Sequence, residues 1–256
     1  YGFSWALSPG EVSHINTTSQ EQLKWVETDM IGLESERFSL PYRTEWRSAD
    51  GIKFDAWVYR PGRINNDIFV PARPIRPFPV VILFHGGPES QFRPRFMGRY
   101  NYLITEEQIV IICPNVRGSR GYGKKFLKAD NGRERKSVLA DITRIYNQVA
   151  VVPHFDQNRI AVMGGSYGGF MALHSMVEMN SFLKCGVDVV GISNFVTFLE
   201  NTSEYRRDLR RAEYGDEQLP EMRKFLQELS PLTHVDKITR PLLIVQGAND
   251  PRVPAS

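Results

Sequence analysis

The sequence predicts an α/β protein: a mostly parallel, doubly wound sheet preceded by a short all-β segment. Three observations predict it. Five apolar runs recur between residues 80 and 245, four of them uninterrupted in the manner of a strand buried on both faces and one, 187–190, broken only by Asp188. Stretches of helical spacing separate several of these runs, as strand–helix–strand crossovers require. Residues 1–50 show neither feature and divide into β-prone pieces and polar turns.

Taken in order, residues 1–7 and 36–40 are β-prone, and Ser8-Pro9-Gly10 is a breaker after the first. Residues 1–45 therefore read as the edge of an all-β unit or a lead-in, and residues 46–256 as one α/β domain. Asp50-Gly51 is a turn signal between residues 44–46 and 52–59, where Phe54, Ala56 and Val58 alternate as in a half-buried strand. Five prolines (61, 71, 74, 77 and 79) predict an irregular surface loop over residues 61–79. The buried runs follow at 80–84, 109–113, 160–163, 187–190 and 242–245. Residues 137–151 carry a helical stripe (Val138, Leu139, Ile142, Ile145, Tyr146, Val149) with Ser137 as the expected N-cap. Residues 170–179 and 222–229 are the other expected helices.

Composition narrows the function classes. In 256 residues, 41% hydrophobic and 24% charged, a sizeable core is available and extended disorder is not expected. No apolar run approaches the roughly 20 residues of a membrane span, so no membrane partner is expected. Net charge is +3, too little to announce a nucleic-acid partner; a homo-oligomer is allowed. Charge is uneven: residues 1–50 hold four basic and eight acidic residues, and the remainder carries +7. Cys113 and Cys185 match no zinc or redox spacing and fit a reducing compartment, so a cytoplasmic location is expected. Tyr1 is no initiator and opens no signal-like segment, so a native N-terminus is not expected there.

The sharpest motif is Gly164-Gly165-Ser166-Tyr167-Gly168-Gly169, directly after one buried run and before a helical stretch. Gly-x-Ser-x-Gly in that context is a nucleophile elbow of the α/β-hydrolase fold. Small residues flank the serine because the turn is tight, and the helix N-terminus behind it favours developing negative charge. The plainer alternative is a glycine-rich turn with an incidental serine. His85-Gly86-Gly87-Pro88 ends an earlier run; there a backbone N–H, Gly87 in this reading, would join Tyr167 N–H as an oxyanion hole. The alternative is a plain Gly-Gly turn. His85 precedes the serine and belongs to that loop, so it is not read as the base. Asp250, in the turn after the last run, stands where the hydrolase order Ser…Asp…His puts the orienting acid, although an Asx-turn would also explain it. Asp216 and Asp236 are weaker candidates.

No histidine follows Asp250. His14, His85, His154, His174 and His234 all precede it, so the base is expected in a C-terminal segment outside this chain. His234 reads as a loop or cap residue and His174 as packed. Asn115–Gly123 is either a site-lining loop or a structural turn. Arg206, Arg207, Arg210 and Arg211 fall on a helical face that reads as solvated or interfacial. No metal-ligand cluster is evident, and neither a metal nor another cofactor is expected.

Jointly, these motifs resemble the prolyl oligopeptidase family of serine peptidases, and most of all its acylaminoacyl-peptidase-like and dipeptidyl-peptidase-like branches. The resemblance covers about residues 50–256. It rests on His85-Gly86-Gly87-Pro88, Asn115-Val116-Arg117-Gly118-Ser119, Gly164–Gly169 and Gly247-Ala248-Asn249-Asp250-Pro251-Arg252-Val253-Pro254. It implies an α/β-hydrolase domain that follows a gating β-propeller, of which residues 1–40 would be the last strands. It implies cleavage of short peptides through an acyl-enzyme. A carboxylesterase or thioesterase on the same fold, and an inactive binding module, are the other readings.

Overall fold

Gly2–Trp5 (β1), Ser8–Ile15 (β2) and Gln22–Glu27 (β3) form a separate antiparallel sheet in the computed structural model, which describes residues 2–30, 32–66 and 68–255. Tyr1, the first residue of the expected 1–7 strand, lies outside them. Ser8-Pro9-Gly10 does not end the pairing as expected: it opens β2. Trp5 pairs with Ser8, and the ladder register shifts between Phe3 and Trp5, opposite Pro9 and Gly10. A proline without an N–H is tolerated in a strand at such a bulge. The β-prone stretch 36–40 is not a strand either. Ser35–Arg37 is a 3-10 turn, and the next residue, Phe38, packs edge-on against Phe96 at 5.3 Å.

The remaining strands are Tyr42–Arg47 (β4), Lys53–Tyr59 (β5), Gly62–Asn65 (β6), Ile68–Pro71 (β7), Phe78–Phe84 (β8), Val110–Asn115 (β9), Phe155–Gly165 (β10), Leu183–Val189 (β11) and Leu242–Val245 (β12). Seven of them make one sheet in the order β12-β11-β10-β8-β9-β5-β4. From β12 to β9 neighbours run parallel; β5 and β4 are added antiparallel. All five predicted apolar runs are strands of this sheet. The proline-rich segment is more regular than expected, because β6 and β7 pair as a small hairpin at its start.

The helices are Tyr100–Thr105 (α1), Lys124–Leu127 (α2), Val138–Val149 (α3), Tyr167–Glu178 (α4), Phe195–Asn201 (α5), Glu204–Tyr214 (α6) and Pro220–Leu229 (α7). The α3 stripe is buried as the spacing predicts, but Ser137 makes no N-cap bond. A 3-10 turn over Gly132–Ser137 runs straight into α3, so Ser137 already has helical backbone. Helix α4 is buried almost all round, since it lies across β10 and β11 and beneath a further 3-10 turn, Pro231–Lys237.

The Asn115–Gly123 loop is fixed by Arg117. That side chain is 2% exposed and bridges Asp50, in the β4–β5 turn, at 2.6 Å to Asp141, in α3, at 2.7 Å. Removing one partner would leave a buried charge unmatched.

Candidate active site

The sequence motifs each follow the carboxyl end of a parallel strand, the end at which open α/β sheets place their ligands. The oxyanion-loop candidate follows β8, the serine follows β10, and Asp250 follows β12. Ser166 has φ +57° and ψ −120°, a region that non-glycine residues avoid. Its N–H donates to the Val189 carbonyl (3.0 Å) and its carbonyl accepts from Phe170 N–H at the start of α4 (3.1 Å), so both flanks of the turn are tied down.

The glycines have distinct reasons. A Cβ on Gly164 would lie 2.0 Å from the Gly168 carbonyl oxygen, and one on Gly168 2.4 Å from that of Phe84. Any side chain there would push α4 off the strands. Gly165 has room, with the Val189 carbonyl oxygen 3.5 Å away. Across the turn, a Cβ on Gly86 would meet Ser166 Cβ at 3.4 Å, which brings the Gly86-Gly87 backbone against the serine.

His85 is 8% exposed. Its Nδ1 donates to the Gly86 carbonyl (2.7 Å) and its Nε2 meets the Ser119 hydroxyl (2.9 Å). Burial pushes its pKa down to about 4, so it is neutral at pH 7 and engaged in shaping the loop. His174 is buried in α4 against Phe170, and burial likewise pushes it down to about 4. His234 meets the Glu228 carbonyl from an exposed turn (2.8 Å), and His14 stacks on Trp25 in the three-stranded sheet. Among the described residues, none of these histidines is hydrogen-bonded to Ser166.

Asp250 is half-buried. Its Oδ1 accepts from Arg252 N–H (2.8 Å) and Val253 N–H (3.1 Å), an Asx-type turn. The turn is anchored by buried Val253, by Gln246 Nε2 donating to the Val253 carbonyl (2.7 Å), and by Ser203 Oγ donating to the Pro251 carbonyl (3.0 Å). Asp216, by contrast, is paired with Arg211 at 3.4 Å.

Sequence reasoning missed what lies behind the elbow. Tyr167, the residue after the serine, is fully buried, and its hydroxyl donates to Asp130 Oδ2 (3.1 Å). Arg135 is fully buried as well, its guanidinium carbon 4.9 Å from the Tyr167 ring centroid and 4.3 Å from that of Tyr214. Nothing in the string Gly132–Ser137 marks an arginine for burial; a charged run normally reads as solvated.

A profile of the prolyl oligopeptidase family matches residues 94–256, well over half of the chain. The chain belongs to the prolyl oligopeptidase family. Among relatives of this family, dipeptidyl aminopeptidase BIII of Pseudoxanthomonas mexicana is 36% identical over 97% of the chain and 40% of its own length. The human acylamino-acid-releasing enzyme is 26% identical over 80% of the chain and 27% of its own length. A Mycobacterium tuberculosis puromycin-hydrolyzing peptidase superposes with a TM-score of 0.85 at 26% identity, covering 98% of the chain and 38% of that structure. The chain thus spans about two-fifths or less of the length of these prolyl oligopeptidase family members. Its large sheet is the α/β-hydrolase fold of the family, and β1–β3 resemble the end of a propeller.

Proposed function

We propose that this chain carries the reaction centre of a serine peptidase acting on short peptides. Ser166 Oγ attacks the scissile carbonyl, and its proton passes to a histidine base that follows Asp250 in chain order. Asp250 Oδ2, the oxygen not used by its own turn, orients that base. Tyr167 N–H and Gly87 N–H stabilise the oxyanion. The histidine then protonates the leaving amine, and water releases the acyl group from Ser166. The observation that carries the reading is the Ser166 backbone at φ +57°, imposed between strand and helix by contacts that only glycine permits. The relatives' names, dipeptidyl aminopeptidase and acylamino-acid-releasing enzyme, support peptides as the substrate class. Residues 1–45 are assigned to a propeller end or lead-in and residues 46–256 to the peptidase domain, with β4 straddling the division. A cytoplasmic location and independence from nucleic acid and membrane belong to the same reading; among the described residues no helix is long and apolar enough to cross a membrane.

The test uses the natural protein that contains this chain. A fluorophosphonate should label Ser166, and Ser166→Ala should abolish labelling and nearly all turnover of aminoacyl anilides. Faster turnover of short acyl esters than of anilides would favour an esterase. Absence of labelling would remove the enzyme reading.

A further inference from the structure

Arg135 is the fully buried cation behind the nucleophile turn, and that placement is costly unless its geometry is used. An apolar side chain of similar length would fill the same space. The Tyr167 and Tyr214 rings would still meet, with centroids 6.2 Å apart. What the guanidinium adds is direction. Nη1 donates to Asp130 Oδ2 (2.7 Å), which also accepts the Tyr167 hydroxyl (3.1 Å). Nη2 donates to the Glu213 carbonyl (3.1 Å) in the last turn of α6. Its guanidinium carbon lies over both aromatic rings while its N–H groups make these bonds, a combination arginine supports better than lysine. Helix α6 ends at Tyr214, whose hydroxyl donates to the Gly87 carbonyl (3.3 Å).

The two oxyanion donors of the reading above come from separate pieces of chain, the start of α4 and the loop after β8. Both pieces are tied to Arg135, one through Asp130 and Tyr167, the other through Glu213 and Tyr214. We propose that Arg135 is a positioning residue that sets the oxyanion hole, holding Tyr167 N–H and Gly87 N–H at one mutual spacing. This deepens the peptidase reading and rests on it. A hole loosened by a fraction of an ångström still binds substrate but stabilises the tetrahedral intermediate less well.

The experiment compares wild type, Arg135→Met and Tyr214→Phe in the natural protein, with kcat expressed per site titrated to completion by a fluorophosphonate. Arg135→Met should lower kcat per titrated site about 10-fold, against the larger loss on deleting an oxyanion donor outright. It should weaken a peptide boronate, which mimics the tetrahedral intermediate, by a similar factor, with KM within about 2-fold of wild type. Tyr214→Phe, which keeps the ring and removes only the bond to Gly87, should shift both quantities in the same direction by less. A purely structural role would lower Tm and the titratable fraction while leaving kcat per site and boronate affinity unchanged, and that result in both variants overturns the proposal. If Arg135→Met does not fold, Tyr214→Phe alone decides. Failure of the parent reading is separate: wild type would not be labelled, or Ser166→Ala would retain turnover.

Discussion

At Ser166 the backbone angle and the chemistry require each other: a hydroxyl lifted clear of the sheet needs a turn that serine alone would avoid. Deleting the hydroxyl leaves that turn in place, so Ser166→Ala should keep the thermal midpoint of the natural protein near wild type while activity falls by several orders of magnitude, as checked by calorimetry beside anilide hydrolysis. Asp250→Asn preserves the Oδ1 turn yet removes the charge facing the base. It should lower kcat strongly with a smaller change in KM, whereas Asp216→Asn, at a residue paired with Arg211, should leave kcat alone. A second consequence at this scale concerns pH. His174 is held neutral down to about 4, whereas an unfolded histidine protonates near 6.5. Between those values the unfolded chain binds the extra proton, so stability falls as pH drops from about 6.5 towards about 4. Asp188, pushed up to about 6 by burial, acts in the opposite direction over part of that window, since there the folded state holds the proton. His174→Leu should therefore flatten the acid slope of the urea midpoint, by up to roughly 3 kcal/mol across the window.

At the scale of elements, the β10–α4 junction is set by how closely backbones approach. Two adjacent glycines make opposite predictions. Gly164→Ala forces a methyl into the Gly168 carbonyl and should cost about 1–3 kcal/mol or more, whereas Gly165→Ala meets only ordinary contact. Denaturant unfolding of the pair checks this, and equal losses would show that the junction can relax. The same scale separates what was legible in the sequence from what was not. Strands β8 and β9 were legible because burial on both faces leaves continuous apolar runs, whereas β12 carries such a run with three of its four residues exposed, and α3 was legible because its stripe has one buried side. The elbow was legible because its spacing is a local geometric requirement. Ser8-Pro9-Gly10 misled because a bulge absorbs a proline that a regular ladder would reject, and the β6–β7 hairpin was hidden by prolines at its boundaries. Arg135 was illegible for another reason: its partners Asp130, Tyr167 and Glu213 converge only in three dimensions, and none of them betrays burial through its neighbours in sequence.

Across the whole molecule, the large sheet is protected unevenly. Strand β9 is buried throughout and β8 nearly so, and buried Arg117 pins the β4–β5 turn to α3, which braces the β4 side. The opposite edge differs. Among the described residues, strand β12 pairs with β11 alone, and Leu243, Ile244 and Val245 are 58%, 59% and 48% exposed. An edge strand of four aliphatic residues without a charge offers unpaired backbone groups flanked by apolar side chains, the combination that invites another strand. Purified as residues 1–256, the chain should therefore self-associate in a concentration-dependent way visible by sedimentation velocity. Ile244→Lys places a charge on that edge without touching Ser166, Tyr167 or Asp250. It should shift the population towards monomer with little change in Tm, because the side chain it replaces is mostly in water. Unchanged association in this variant would place the contact elsewhere, the exposed face of β1–β3 with Trp25 and Leu23 being the next surface to charge.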